Sequence, residues 1–160
     1  MERSVPLIYA RCYDGPTTST NTRVMGALVG VGCLALMMVA ATLKPSPDGL
    51  ATHTQLGLRS CAFLENTGLP CPSCGMTTSF AWFARGNFVA SAYIQPMGAM
   101  LALICCCCVW GGFYIALTGR PIHRLLRRVP SRYTVWPLIS LAVAAWGWKI
   151  FLHLSGHDGW

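Results

Sequence analysis

"VMGALVGVGCLALMMVAATL", residues 24–43, holds no charged side chain. An α-helix rises about 1.5 Å per residue, so a run of this length covers the roughly 30 Å hydrocarbon core of a bilayer. Backbone polar groups cannot stay unpaired in lipid, which makes the run a helix. Two further stretches read the same way. "MGAMLALICCCCVWGGFYIALT", residues 97–118, is uncharged, and "VWPLISLAVAAWGWKIFLHL", residues 135–154, carries only Lys149. A soluble chain of 160 residues has no core large enough to hide three such helices.

Composition agrees. Hydrophobic residues make up 54% and charged ones 11%, against about 25% charged in an ordinary soluble domain. The mean hydropathy is +0.48. The expected fold is an all-α membrane protein with three transmembrane helices. A cleaved leader is the competing reading of the first run, since Val39-Ala40-Ala41 suits a small-residue cleavage site. The full span length and the long stretch ahead of Arg23 favour an uncleaved anchor.

The net charge of +7 is distributed as topology. The short loop 119–134 carries Arg120, Arg124, Arg127, Arg128 and Arg132 and no acid, which places it in the cytoplasm. The tail 1–23, with Arg3, Arg11 and Arg23, falls on the same side. The segment 44–96 and the tail 155–160 fall outside, in the pattern of a multi-pass inner-membrane protein. Within the basic loop, Ile122, Leu125, Leu126 and Val129 share one helical face. Arg120, Arg124, Arg127 and Arg128 take the other, suited to the anionic lipid of the inner leaflet. Beside a span, that use displaces nucleic-acid binding. At the outer end of the third span, Lys149 is expected to snorkel to the headgroups.

Chemistry is concentrated in the outer segment. Residues 44–60 read as loop. In "GLPCPSCGMTTSF", residues 68–80, Pro72 suits a first helical position, which makes Cys71 the N-cap of a short helix over 72–85. Met76, Phe80, Phe83 and Ala84 fall on one face of that helix, which is expected to lie in the outer interface or dip into it as a re-entrant element. A sulfur at a helix start meets unpaired N–H groups that favour thiolate, the state needed for exchange.

Three readings of the pair stay open. Cys71 and Cys74 can be a clip that shapes the loop, a nucleophile and its resolving thiol, or half of a metal site. For the last, His53 and Cys61 complete a Cys₃His set, with zinc the suited ion; no other cofactor is evident. The run Cys105–Cys108 cannot converge on one ion, because successive helix residues point about 100° apart, and it reads as packing. Gly26, Gly30 and Gly32 mark a close helix contact. With no ionisable group at the centre of a span, a proton-coupled transporter is disfavoured.

The stretch from about Thr52 to Leu103 resembles a family of small bacterial membrane proteins of unknown function with a C-P-x-C-G-x-T core. That core is here Cys71, Pro72, Ser73, Cys74, Gly75, Met76 and Thr77. "THTQLGL", "TGLP", Arg85-Gly86-Asn87-Phe88 and Gln95-Pro96 match its flanks. The resemblance implies an inner-membrane protein with the motif between spans, and no established activity. Members commonly carry arginine after the threonine, where this chain has Thr78, so no role for a cation there is implied. The expected function is an accessory subunit that presents a cysteine-shaped outer surface to a membrane-protein partner. Thiol–disulfide exchange and metal binding are the alternatives.

Overall fold

The computed structural model of the chain describes residues 20–119 and 131–160. Among them are six α-helices, one 3₁₀ turn and no strand. The helices are α1 (Thr20–Thr42), α2 (Ala62–Thr67), α3 (Met76–Ala84), α4 (Phe88–Ile94), α5 (Pro96–Thr118) and α6 (Ser131–Leu154); the 3₁₀ turn is Thr52–Leu56. Within them α1, α5 and residues 135–154 of α6 are long and apolar enough to cross a membrane. Their outward faces carry Leu28, Met38, Trp110, Leu117 and Val143, all exposed and apolar, as lipid-facing surfaces require. The chain is an all-α, multi-pass membrane protein. The basic helix expected at 120–129, with Arg120, Arg124, Arg127 and Arg128, lies outside the described residues.

The tightest helix contact is between α1 and α5. It forms because glycines meet there: a Cβ on Gly112 would lie 2.6 Å from the Gly26 carbonyl oxygen and 2.8 Å from the Gly30 Cα. Gly32, grouped with them by sequence, has open space beside it. Where α1 and α5 diverge, the segment between them, 44–95, wedges in. Phe80 of α3 packs with Ala40 of α1 and Ala102 of α5, and Met76, Phe83 and Ala84 flank that cluster on the face the periodicity indicates. A Cβ on Gly98 would meet the Ser79 side chain at 2.9 Å. Ser79 is buried; its hydroxyl donates to the carbonyls of Ser91 at 2.9 Å and Gln95 at 3.2 Å, and so ties α3 to the end of α4. Asn87 caps α4 by accepting from the Ala90 amide at 3.0 Å.

The third span is attached differently. The C-terminal half of α6 is covered by the segment 44–96: Trp146 Nε1 donates to the Pro70 carbonyl at 3.0 Å and Trp148 Nε1 to the Tyr93 carbonyl at 2.7 Å. Lys149 therefore does not snorkel. It is fully buried, with Nζ 3.1 Å from Asp158 Oδ1. Asp158 belongs to the tail after α6, which folds back over the segment 44–96. The other carboxylate oxygen lies 2.5 Å from His153 Nδ1, and the Tyr93 hydroxyl donates to the His157 carbonyl at 3.3 Å.

The tail docks through a glycine that tolerates no side chain. Gly49 has φ +66°, and a Cβ there would lie 1.9 Å from the Asp158 carbonyl oxygen. Gly49→Ala therefore meets a left-handed backbone cost of about 1–2 kcal/mol together with a steric overlap. The expected result is faster amide exchange across 155–160 and 45–52, with α1 and α5 as protected as before. Unchanged protection of the tail would show that it is held elsewhere.

Candidate functional site

Cys71 and Cys74 sit in a turn, not at a helix start. The Cys74 amide donates to the Cys71 carbonyl at 2.9 Å and the Met76 amide to the Ser73 carbonyl at 3.1 Å. Gly75 then takes φ +83° and becomes the residue from which α3 begins at Met76. The left-handed glycine breaks the helical phase, so the expected helix over 72–85 is shortened and Cys71 is not its cap. What holds the turn is tertiary contact. A Cβ on Gly75 would come within 3.0 Å of the Gly49 carbonyl and 3.4 Å of Lys149 Cε, so the turn rests on the buried lysine. From the other side, Gln95 Nε2 donates to the Pro72 carbonyl at 2.9 Å.

Two sulfurs, two environments. Cys71 Sγ is 3.2 Å from Cys74 Sγ and 3.2 Å from Ser73 Oγ. Cys71 is half-buried and Cys74 buried. Burial raises the Cys71 pKa, but donation to its sulfur from the Ser73 hydroxyl, the Cys74 and Cys61 thiols and the Ser73 amide outweighs it, leaving the value lowered to about 7. Cys74 is pushed up to about 12, first by burial and then by the contact with Cys71. At neutral pH one sulfur is thus substantially thiolate and its neighbour a thiol.

Cys61, half-buried at the start of α2, is brought to the same place. The Sγ atoms of Cys61, Cys71 and Cys74 all lie within 4.8 Å of one another. They line a pocket of about 370 Å³ together with Leu50, His53 and Glu65. His53 shares the pocket but is outside the sulfur cluster, with Nε2 3.0 Å from the Arg59 carbonyl oxygen. The reason is local: Gly57, at φ +75°, closes the 3₁₀ turn and folds 58–60 back beneath the ring.

Around the site, other residues from the matching flanks do structural work. Thr52 and Thr78 are buried and bonded to each other at 2.7 Å, which locks the 3₁₀ turn onto α3. Thr78 thus stands where a cation would have no room in this packing. Gln55 is paired twice with Lys44, accepting from its amide at 3.0 Å and donating to its carbonyl at 2.6 Å. Ser73, Gln95 and Lys149 support the turn and were not singled out for it by sequence. For Gln95 the signal was the Gln-Pro pair opening α5; for Lys149 there was none.

A family model described as a protein of unknown function (DUF2752) matches residues 61–110. The match starts at Cys61, takes in both other cysteines of the cluster and ends within α5. No curated protein and no solved structure matches the chain.

Proposed function

We propose that this is a bacterial inner-membrane thiol–disulfide exchange protein, with the cysteine turn outside and the N-terminus in the cytoplasm. The observation that carries the reading is the pairing of a half-exposed, hydrogen-bonded Cys71 with a buried Cys74 whose sulfur is 3.2 Å away. Exchange needs a thiolate that a partner can reach and a second thiol shielded until the first has reacted. The orientation follows from the five arginines of 119–134, since such loops resist translocation.

The reaction balances as follows. The Cys71 thiolate attacks one sulfur of a disulfide on a partner protein. That S–S bond breaks, and the other partner sulfur leaves as thiolate. Cys74 then attacks Cys71 Sγ and passes its proton to the departing thiolates and solvent. The Cys71–Cys74 bond forms and the second partner sulfur is released. The chain loses two electrons and the partner disulfide gains two. The reverse sequence oxidises a partner dithiol.

Leu56, Leu58 and Phe63 favour the accessory-subunit reading as well, because these apolar side chains stand exposed on the outer segment. In the exchange reading the same surface receives the partner.

The test is alkylation and trapping on single variants in reduced membranes. Cys71 should react with a membrane-impermeant reagent in intact cells, with a rate midpoint near pH 7 rather than the roughly 8.5 of a free cysteine. Because Cys71 is about half thiolate near pH 7, the rate should level off above about pH 8 and fall roughly tenfold per pH unit below about pH 6. Cys74→Ser should trap a partner covalently and Cys71→Ser should trap nothing. Equal reactivity of the two thiols with no adduct from either variant removes the exchange reading. Labelling only after the membrane is opened reverses the orientation.

A further inference from the structure

Exchange needs two thiols, and Cys61 is a third: the fold brings its sulfur within 4.8 Å of both others from a separate element, the start of α2. We infer that Cys61, Cys71 and Cys74 form a binding site for a thiophilic d¹⁰ cation, zinc(II) or copper(I), held by three sulfurs. The inference shares two residues with the exchange reading but rests on the third sulfur, and it stands or falls separately.

The geometry fits. A zinc–sulfur bond of about 2.3 Å sets the sulfurs of a tetrahedral site roughly 3.8 Å apart. Cys71 and Cys74 are at 3.2 Å and the whole set is inside 4.8 Å, so an ion is accommodated by shifts of well under the size of an atom. The surroundings fit too. The hydroxyl and amide of Ser73 donate to Cys71 Sγ, the outer hydrogen bonding that steadies a ligating thiolate. Soft thiolate sets select these ions over magnesium or calcium. The sulfurs open on the 370 Å³ pocket, which leaves a fourth position for water or an incoming ligand. Three protein ligands and an open position mark an exchangeable ion; four closed ligands mark a purely structural one. His53, turned to the Arg59 carbonyl, is not a ligand in this arrangement.

Metal and exchange compete for the same sulfurs, which gives a readout in the unaltered protein. Reduced, anaerobic, full-length protein in detergent micelles is titrated with zinc against a chromophoric chelator, with copper(I) in a parallel arm. The expected result is one ion per chain, with X-ray absorption counting three sulfurs at about 2.3 Å for zinc. Bound ion should protect Cys71 from alkylation. Cys61→Ser should weaken binding by more than the roughly 10–100-fold that loss of an outer-shell partner costs, while the Cys74→Ser chain still traps a partner when Cys61 is also replaced, only more slowly because Cys71 loses one hydrogen-bond donor. His53→Ala should leave the sulfur count at three. Zinc and copper(I) that neither bind nor protect Cys71 in the unaltered protein overturn the inference whatever the variants do. Binding that survives Cys61→Ser undiminished overturns it as well. In both cases trapping still decides the exchange reading on its own.

Discussion

Asp158→Asn is expected to destabilise the protein by about 3–5 kcal/mol, the cost of stripping the counter-charge from a buried ion. Lys149 is fully buried, and Nζ has the Asp158 carboxylate at 3.1 Å. Neither Nζ nor Asp158 Oδ1 has a further hydrogen bond among the described residues, so the pair depends on charge attraction. Without the carboxylate, the buried amino group has no counter-charge and pulls the tail and turn apart to reach water. That undermines Gly75, which rests on the lysine side chain. The variant should therefore also narrow the reactivity gap between Cys71 and Cys74. Lys149→Met combined with Asp158→Asn removes both charges and should recover most of the loss, since a buried pair is often replaceable by apolar side chains of similar volume. Chemical denaturation in micelles of the single and double variants measures this directly. A double variant no more stable than Asp158→Asn alone would show that the carboxylate acts through His153 and the tail instead of through the lysine.

The contrast with the spans shows what the sequence could and could not reveal. Three uncharged or nearly uncharged runs announce themselves because lipid imposes one requirement on every residue of a span. The face of α3 that packs inward was equally legible, since Met76, Phe80, Phe83 and Ala84 recur at helical spacing. The snorkelling expected of Lys149 fails because its burial comes from residues far away in the chain: Gly49, Gly75 and the tail at Asp158. No local pattern marks six residues after a span as part of a core. The start of α3 was misplaced for another reason. Pro72 does favour a helix start, but Gly75 in the left-handed region outranks it and resets the phase three residues later. At the site, spacing put Cys61 among the candidates and could not separate it from His53. Which of the two converges depends on the direction of a 3₁₀ turn, and a short turn closed by glycine carries little periodic signal. The short helices α2 and α4 were not anticipated, being too brief for a pattern to emerge.

Gly112→Ala should have the second largest effect, at the upper end of the 1–3 kcal/mol that overpacking typically costs, or about 3 kcal/mol. Between helices in lipid the apolar effect gives no net drive, so close backbone packing is what holds α1 against α5. A single methyl at Gly112 would approach the Gly26 carbonyl oxygen at 2.6 Å and the Gly30 nitrogen at 2.8 Å. These are backbone atoms and cannot rotate aside. The helices must separate, and with them the frame of Ala40 and Ala102 on which Phe80 and the cysteine turn are set. Neighbouring glycines provide a graded comparison at equal chemistry. Gly30→Ala meets its nearest atoms at 3.4 Å, ordinary contact, and Gly111→Ala meets nothing within 4 Å. Both should be tolerated, and Gly111→Ala should gain up to about 1 kcal/mol of helix propensity. Gly26→Ala falls between, because its Cβ would meet Ile115 Cγ2 at 2.9 Å and the Gly112 carbonyl oxygen at 3.0 Å, a milder overlap than the 2.6 Å at Gly112. The expected order of stability in micelles is Gly111→Ala, Gly30→Ala, Gly26→Ala, Gly112→Ala, from highest to lowest. Equal stability of the first and last would mean that α1 and α5 do not pack through these glycines, and the platform beneath the three sulfurs would have to be sought in α3 and α6 alone.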